Sequence, residues 1–561
     1  MASKKAILII LVCVIAVSIV IGVLTATLCC NGGEDEEVIV HTQSGSIKGL
    51  RVNSDVSSFY AFFRIPYAKP PVNELRFKAP SPIEPWSGVL DATTEGPACV
   101  QADALHQSED CLIVNVYTRD LPAPAAAPAL ARPVYVHLHF GGLQDYSANS
   151  GNFGPDYFMR HDVVLVMVQF RLAMLGFLNL NSQDAPGNMG LADTIEALRW
   201  VHRNIESFGG DPRQVTLGGI SSGGIMTHAL LMSPQAQGLI HKAIIQSGTA
   251  LSYRFYHEDT EPVARYTKQV LNMPDASNEE LLAHLMSLTP SELIKVSSDV
   301  KGLFPRGYNE YYPYPITRDL LGIIPENPID MVRKNNYTQI PMIIGITSDE
   351  GIRLEVFMDR LDFVNNNFYM VVPTDLYAID DMSFEKNETA QRIKEFYFGD
   401  RDLSRETFPQ YAEVCRDSWY GHITDYVVRL QGSLNYSANV YYYVFAIDGA
   451  YNTKKFSNIT SPGASHADDR GYLFKINSLA NVPVNDDFSD LARDRMVAMW
   501  VNFIIHGNPT IETTNLTPVE WKPVRYPEVN YLLINRTISL ETNPYRENLQ
   551  FWQRLYGWME L

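Results

Sequence analysis

Gly219-Ile220-Ser221-Ser222-Gly223 fits the pattern G-x-S-x-G. Just ahead, Gln214-Val-Thr-Leu-Gly218 predicts a short strand, and just behind, Ile225 to Leu231 predicts a helix. A serine on a sharp strand-to-helix turn stands above a sheet edge, and glycines two residues to either side spare it a steric clash. Backbone N–H groups and a helix N-terminus then lie beside the hydroxyl, where they favour developing negative charge. Without that context the same five residues are an ordinary Gly/Ser turn. A serine hydroxyl is a weak nucleophile unless a base takes its proton, and the base needs an orienting carboxylate. In this class of turn the chain order is Ser, then Asp or Glu, then His. The chain holds 13 histidines, so a histidine alone carries no assignment.

The elements that must position such a serine are legible. Val38 to Leu50 alternates apolar and polar residues and predicts an opening hairpin. Pro133 to Phe140, Val163 to Phe170, Ala243 to Gln246 and Pro341 to Gly345 are short apolar runs, the signature of strands buried on both faces. Gly190 to Ser207 places Leu191, Ile195, Leu198, Val201 and Ile205 at helical spacing and stops at Gly209-Gly210. Strands alternating with helices predict an α/β fold with a largely parallel sheet. No domain linker is evident after residue 38, and the Ala/Pro stretch Leu121 to Pro133 reads as a surface loop.

With 561 residues, 46% of them apolar, the chain can bury a large core. Its net charge of −18 argues against nucleic acid as a partner, because a binder must displace counterions with a basic face. Residues 6–30 form an apolar run long enough to span a bilayer, with Lys4 and Lys5 before it and Glu34-Asp35-Glu36-Glu37 after it. This predicts a cytoplasmic tail at 1–5, a signal anchor at 6–30, an acidic linker at 31–37 and a catalytic domain at 38–561 outside the cell or in a lumen. The alternative is a long signal peptide and a secreted product. Beyond the anchor the cysteines are Cys99, Cys111 and Cys415. Cys99 and Cys111 are close enough to close a short disulfide loop, which leaves Cys415 as a buried thiol. Glycosylation sequons stand at Asn336, Asn387, Asn435, Asn458, Asn515 and Asn535.

Further motifs are Ile65-Pro-Tyr-Ala68 with Glu74-Leu-Arg-Phe77, Ser108-Glu-Asp-Cys-Leu112 with Asn115-Val-Tyr117, Phe208-Gly-Gly-Asp-Pro212, Gln246-Ser-Gly248, and Trp500-Val-Asn-Phe503 with Gly507-Asn-Pro-Thr510. In these the chain from Val38 to Trp558 resembles the cholinesterase/carboxylesterase family (type B carboxylesterases) of the α/β-hydrolase fold, with insect-type esterases among its kind. The family's acid lies in a D-E-G motif, matched by Asp349-Glu350-Gly351, and its histidine in G-x-x-H-x-x-D/E, matched by Gly463-Ala-Ser-His466-Ala-Asp-Asp469. The resemblance implies that Ser221 attacks an acyl carbonyl, His466 takes its proton and Glu350 orients the imidazole. It also implies N–H donors at Gly141, Gly142 and Ser222, a Cys99–Cys111 disulfide and an ion pair between Arg76 and Glu109. The expected substrate is an apolar carboxylic ester, and no metal or organic cofactor is called for.

The sequence departs from the family pattern in places. The usual H-G-G-G-F loop reads His139-Phe140-Gly141-Gly142-Leu143, so Phe140 threatens to crowd the site or restrict the loop. Ile220 replaces a frequent acid, Ser222 a frequent alanine and Arg64 a frequent glycine. No tryptophan lies between Cys99 and Cys111, which removes the cation-binding ring of true cholinesterases and argues against acetylcholine. Two other readings compete: a cholinesterase-like adhesion protein with a weakened site, and a narrower hormone or pheromone esterase. The apolar stripe in Glu547 to Leu561 fits a helix packed on its own core better than a dimer helix.

Overall fold

The computed structural model describes residues 36–558, apart from 103, 123–130, 253–260, 304–314, 316, 378–382, 435–437 and 480–485. The predicted anchor, the linker as far as residue 35, the sequon at Asn435 and most of the Ala/Pro stretch lie outside the described residues. Among the described residues no helix is long and apolar enough to cross a membrane.

A thirteen-stranded mixed sheet organises the chain. It opens with antiparallel strands Glu36–His41, Ser46–Asn53, Ser58–Pro66 and Ile113–Thr118. A parallel run follows: Val164–Val168, Arg132–Leu138, Gly210–Ile220, Lys242–Gln246, Met342–Thr347, Val440–Phe445 and Asn530–Ile534. Ser539–Thr542 closes the far edge antiparallel, and Val89–Asp91, the thirteenth strand, pairs parallel with Ser46–Asn53. The opening hairpin begins two residues earlier than its sequence pattern suggests. Glu36 and Glu37, read as linker, pair with Arg51 and Leu50, and salt bridges from Arg51 and Lys48 hold their carboxylates.

Strands buried on both faces feed two cores. Val134, Val136 and Leu138 face one cluster, while Tyr135 between them faces the other. The same alternation divides Val164, Val166 and Val168 from Leu165 and Met167. This is why those runs carry no polar alternation. The helix Met189–Asn204 covers one face and ends through a 3₁₀ turn at Gly209, whose φ of 82° favours glycine. The C-terminal helix Arg546–Leu555 buries Leu549, Phe551 and Trp552. Phe551 and Trp552 join a third cluster with Tyr411, Trp419 and Tyr420, so the helix serves its own core. Between helices Phe408–Arg416 and His422–Ser433, residues Asp417–Gly421 form one π-helical turn.

Candidate active site

Ser221 directly follows the strand Gly210–Ile220 and caps the helix Ser222–Leu231. Its φ of 56° and ψ of −120° are sparsely populated for a residue with a side chain, a strain of about 1–3 kcal/mol. Two backbone bonds hold it there: its N–H donates to the Gln246 carbonyl at 2.7 Å, and its carbonyl accepts from Ile225 at 2.9 Å. A Cβ on Gly219 would come within 2.4 Å of Gly223, and one on Gly223 within 2.3 Å of the Leu138 carbonyl. Only glycine fits either position.

Glu350 opens a 3₁₀ helix immediately past the strand Met342–Thr347 and is fully buried. Its Oε1 accepts from the Ser247 hydroxyl at 2.6 Å and the Thr347 N–H at 2.9 Å, and its Oε2 lies 2.5 Å from His466 Nδ1. Burial pushes this carboxyl up; the neighbouring imidazole and the three hydrogen bonds outweigh it and hold the group below its ordinary value. A carboxylate accepts, so Nδ1 of His466 carries the proton and Nε2 is the basic nitrogen. The imidazole stacks on Tyr420 with ring centroids 4.8 Å apart.

The segment that carries His466 is pinned by Asp468. That carboxylate accepts from the Ser465 and Lys454 N–H groups and from Asn452. Asp469 accepts from Gln246 Nε2 at 2.7 Å and from Tyr443. Gln246 and Ser247 thus touch all three candidate segments: the backbone of Gln246 holds Ser221, its side chain holds the histidine segment, and Ser247 holds Glu350.

Gly141 and Gly142 adopt φ of 118° and 62°. Phe140 is not left-handed, so of the loop's three glycine positions the replaced one is the one that needs no special dihedral. Its ring turns to Tyr146, at a centroid distance of 4.0 Å, and to the guanidinium of Arg470, at 4.7 Å. His139 stacks on Phe170 and places Nδ1 2.8 Å from the Phe140 carbonyl. A carbonyl accepts, and the N–H of Gly141 belongs to the same planar peptide, so this bond also aims that N–H. Burial lowers the His139 pKa to about 4, so this support does not titrate near neutrality. Ser222, first residue of its helix, has an N–H with no intrahelical acceptor.

Ser221, His466, Gly141, Gly142, Phe140 and Arg470 line one cavity of about 680 Å³. Leu354, Phe363, Val364, Trp419 and Ile459 supply apolar wall. Ile220 is fully buried and pairs in register with Gln246. Arg64 takes φ of 43°, the conformation a glycine would favour. Cys99 and Cys111 form a disulfide, and Cys415 is buried. Arg76 makes two 2.6 Å bonds to Glu109 and a third, of 2.7 Å, to the Leu288 carbonyl. Asn336, Asn387, Asn458, Asn515 and Asn535 are exposed. Among the described residues no group of three or more His, Cys, Asp or Glu is placed to hold a metal ion.

Sequence reasoning assigned no role to Ser247, Gln246, Tyr420, His139 or Arg470. Gln246-Ser-Gly248 is a family marker and could have raised the first two. Tyr420 and Arg470 carry no motif of their own.

The model for the carboxylesterase family matches residues 36–552. Esterase FE4 of Myzus persicae is 34% identical over 519 residues, covering 89% of this chain and 88% of its own. Juvenile hormone esterase of Heliothis virescens is 32% identical over 509 residues, covering 85% and 87%. The crystal structure of juvenile hormone esterase from Manduca sexta with OTFP covalently attached aligns with a TM-score of 0.81 at 29% identity, covering 93% of this chain and 100% of that one.

Proposed function

The chain belongs to the carboxylesterase family and is a serine carboxylic ester hydrolase of the α/β-hydrolase fold, and on that premise we propose that Ser221 is its nucleophile, His466 its general base and Glu350 the residue that orients the base. The hydroxyl of Ser221 adds to the ester carbonyl as His466 Nε2 takes its proton. The negative oxygen that forms is held by N–H groups of Gly141, Gly142 and Ser222 at the helix N-terminus. The imidazolium returns its proton to the leaving alcohol, and water then repeats the sequence on the acyl-enzyme. The observation that carries this reading is the Glu350–His466 bond beside a strained serine in one cavity. The apolar walls favour esters with an apolar body.

The test is labelling of the full-length protein, in membranes of the expressing cell, with a fluorophosphonate probe. Ser221 should label, and Ser221→Ala should not. A folded wild type that neither labels nor hydrolyses short nitrophenyl esters would overturn the assignment and favour a binding role.

We also propose that residues 6–30 anchor the protein, with 1–5 in the cytosol and the domain 38–561 outside the cell or in a lumen. The flanking charges, the exposed sequons and the disulfide support this topology. Retention in carbonate-washed membranes with an intact N-terminus is the expected result. Release into the medium with a new N-terminus near residue 31 would show a cleaved signal instead.

A further inference from the structure

A guanidinium without a hydrogen bond stands on the wall of the cavity that holds Ser221 and His466. Arg470 is 4% exposed, and its Nε and Nη1 are enclosed with no acceptor. Asp468 and Asp469 influence it only through space, because their bonds go to Ser465, Lys454 and Asn452, and to Gln246 and Tyr443. Its faces are occupied by rings: Phe140 at 4.7 Å, Phe153 at 5.6 Å and Tyr146 at 5.9 Å from the guanidinium carbon. Such rings stabilise a cation but leave its N–H groups unsatisfied. Burial lowers the pKa only to about 10, so the charge persists at neutral pH. A buried cation normally has an acceptor.

The cavity as a whole has the wrong sign for this molecule. The chain carries 63 acidic against 45 basic residues. Yet among the described residues the cavity is lined by Lys301, Arg353, Arg360, Lys454 and Arg470, with Asp145 as the one acid. Lys454 is engaged by the Ser461 and Gly463 carbonyls and by Asp448. Arg470 is not, and the ring beneath it is Phe140, the residue that departs from the family loop.

We propose that Arg470 is a specificity-determining residue that receives an anionic substituent of the ester, so that preferred substrates carry a carboxylate on an apolar body, as half-esters of dicarboxylic acids do. A carboxylate in the cavity complements the positive charge that Arg470 brings to its wall. Phe140 is then the platform that presents the cation. The inference rests on Ser221 and His466 as the reacting centre.

The test compares the p-nitrophenyl monoester of adipic acid with p-nitrophenyl hexanoate on the full-length protein. The readout is the ratio of their kcat/KM values, in which general damage to the site cancels. Wild type should favour the anionic ester, through KM, and Arg470→Met should lower the ratio by about tenfold or more. Arg470→Lys should keep part of the preference. As a check that needs no variant, hexanoate should compete for the site about tenfold more tightly than hexanol, and less so in high salt. An equal ratio in wild type and Arg470→Met, with fluorophosphonate labelling intact in both, overturns the anion site alone. Hexanoate binding no better than hexanol does the same. A wild type that does not label overturns the reacting centre first, and the inference with it.

Discussion

Ser247 is the residue whose removal discriminates most sharply between a merely present triad and an organised one. Its hydroxyl gives the fully buried Glu350 one of three hydrogen bonds. A bond to a buried charge is worth about 1.5–3 kcal/mol. Ser247→Ala should therefore lower kcat by roughly tenfold or more, with KM little changed, in steady-state ester hydrolysis. Glu350 also sets a pH dependence. Its folded pKa lies below the ordinary 4.5, so the stability it contributes is fully present above that value and is lost as pH falls through the lower folded one. The stability difference between wild type and Glu350→Gln should stay constant from neutrality down to about pH 5 and shrink below it, measured by denaturant unfolding. At this scale a motif in the sequence singles out each of Ser221, Glu350 and His466, of which the fold joins the last two by a hydrogen bond and sets Ser221 and His466 on one cavity. The sequence was silent on Tyr420 and Arg470, because a contact across the fold leaves no local spacing. Phe140 shows the converse: its dihedral makes the substitution harmless to the loop, which composition cannot reveal.

The elements around the site were legible in proportion to their periodicity. The central strands stood out because burial on both faces leaves them with mainly apolar runs. The π-helical turn at Asp417–Gly421 did not, because it differs from an α-helix by one hydrogen-bond register and not by composition. That turn sends Trp419 to the cavity and Tyr420 to the face of His466. Tyr420→Phe should keep most of the activity, since the stack survives, and Tyr420→Ala should lower kcat several-fold by freeing the imidazole, at roughly 1 kcal/mol. The disulfide loop acts on the opposite wall. Gln101, two residues beyond Cys99, donates to the Tyr146 carbonyl at 2.9 Å, and Tyr146 packs on Phe140. Replacing Cys99 and Cys111 together by serine should cost about 2–4 kcal/mol of stability and raise KM before it lowers kcat.

Across the whole molecule, charge and architecture divide the labour. The chain carries a net charge of −18, while among the described residues the charged side chains that line the cavity are mainly cations. An anionic substrate is repelled at long range and held at short range, so added salt should raise its association rate while weakening its binding, a pair of trends that stopped-flow measurement separates. The sheet has its own bearing on where this chemistry happens. Strand pairing begins at Glu36, within the stretch read as the acidic linker. Residues 31–35, fully extended, reach at most about 18 Å. In the proposed anchored form the enzyme is on a leash shorter than its own radius. It would graze the bilayer and meet lipid-dissolved esters by two-dimensional diffusion, as a surface catalyst rather than a dissolved one.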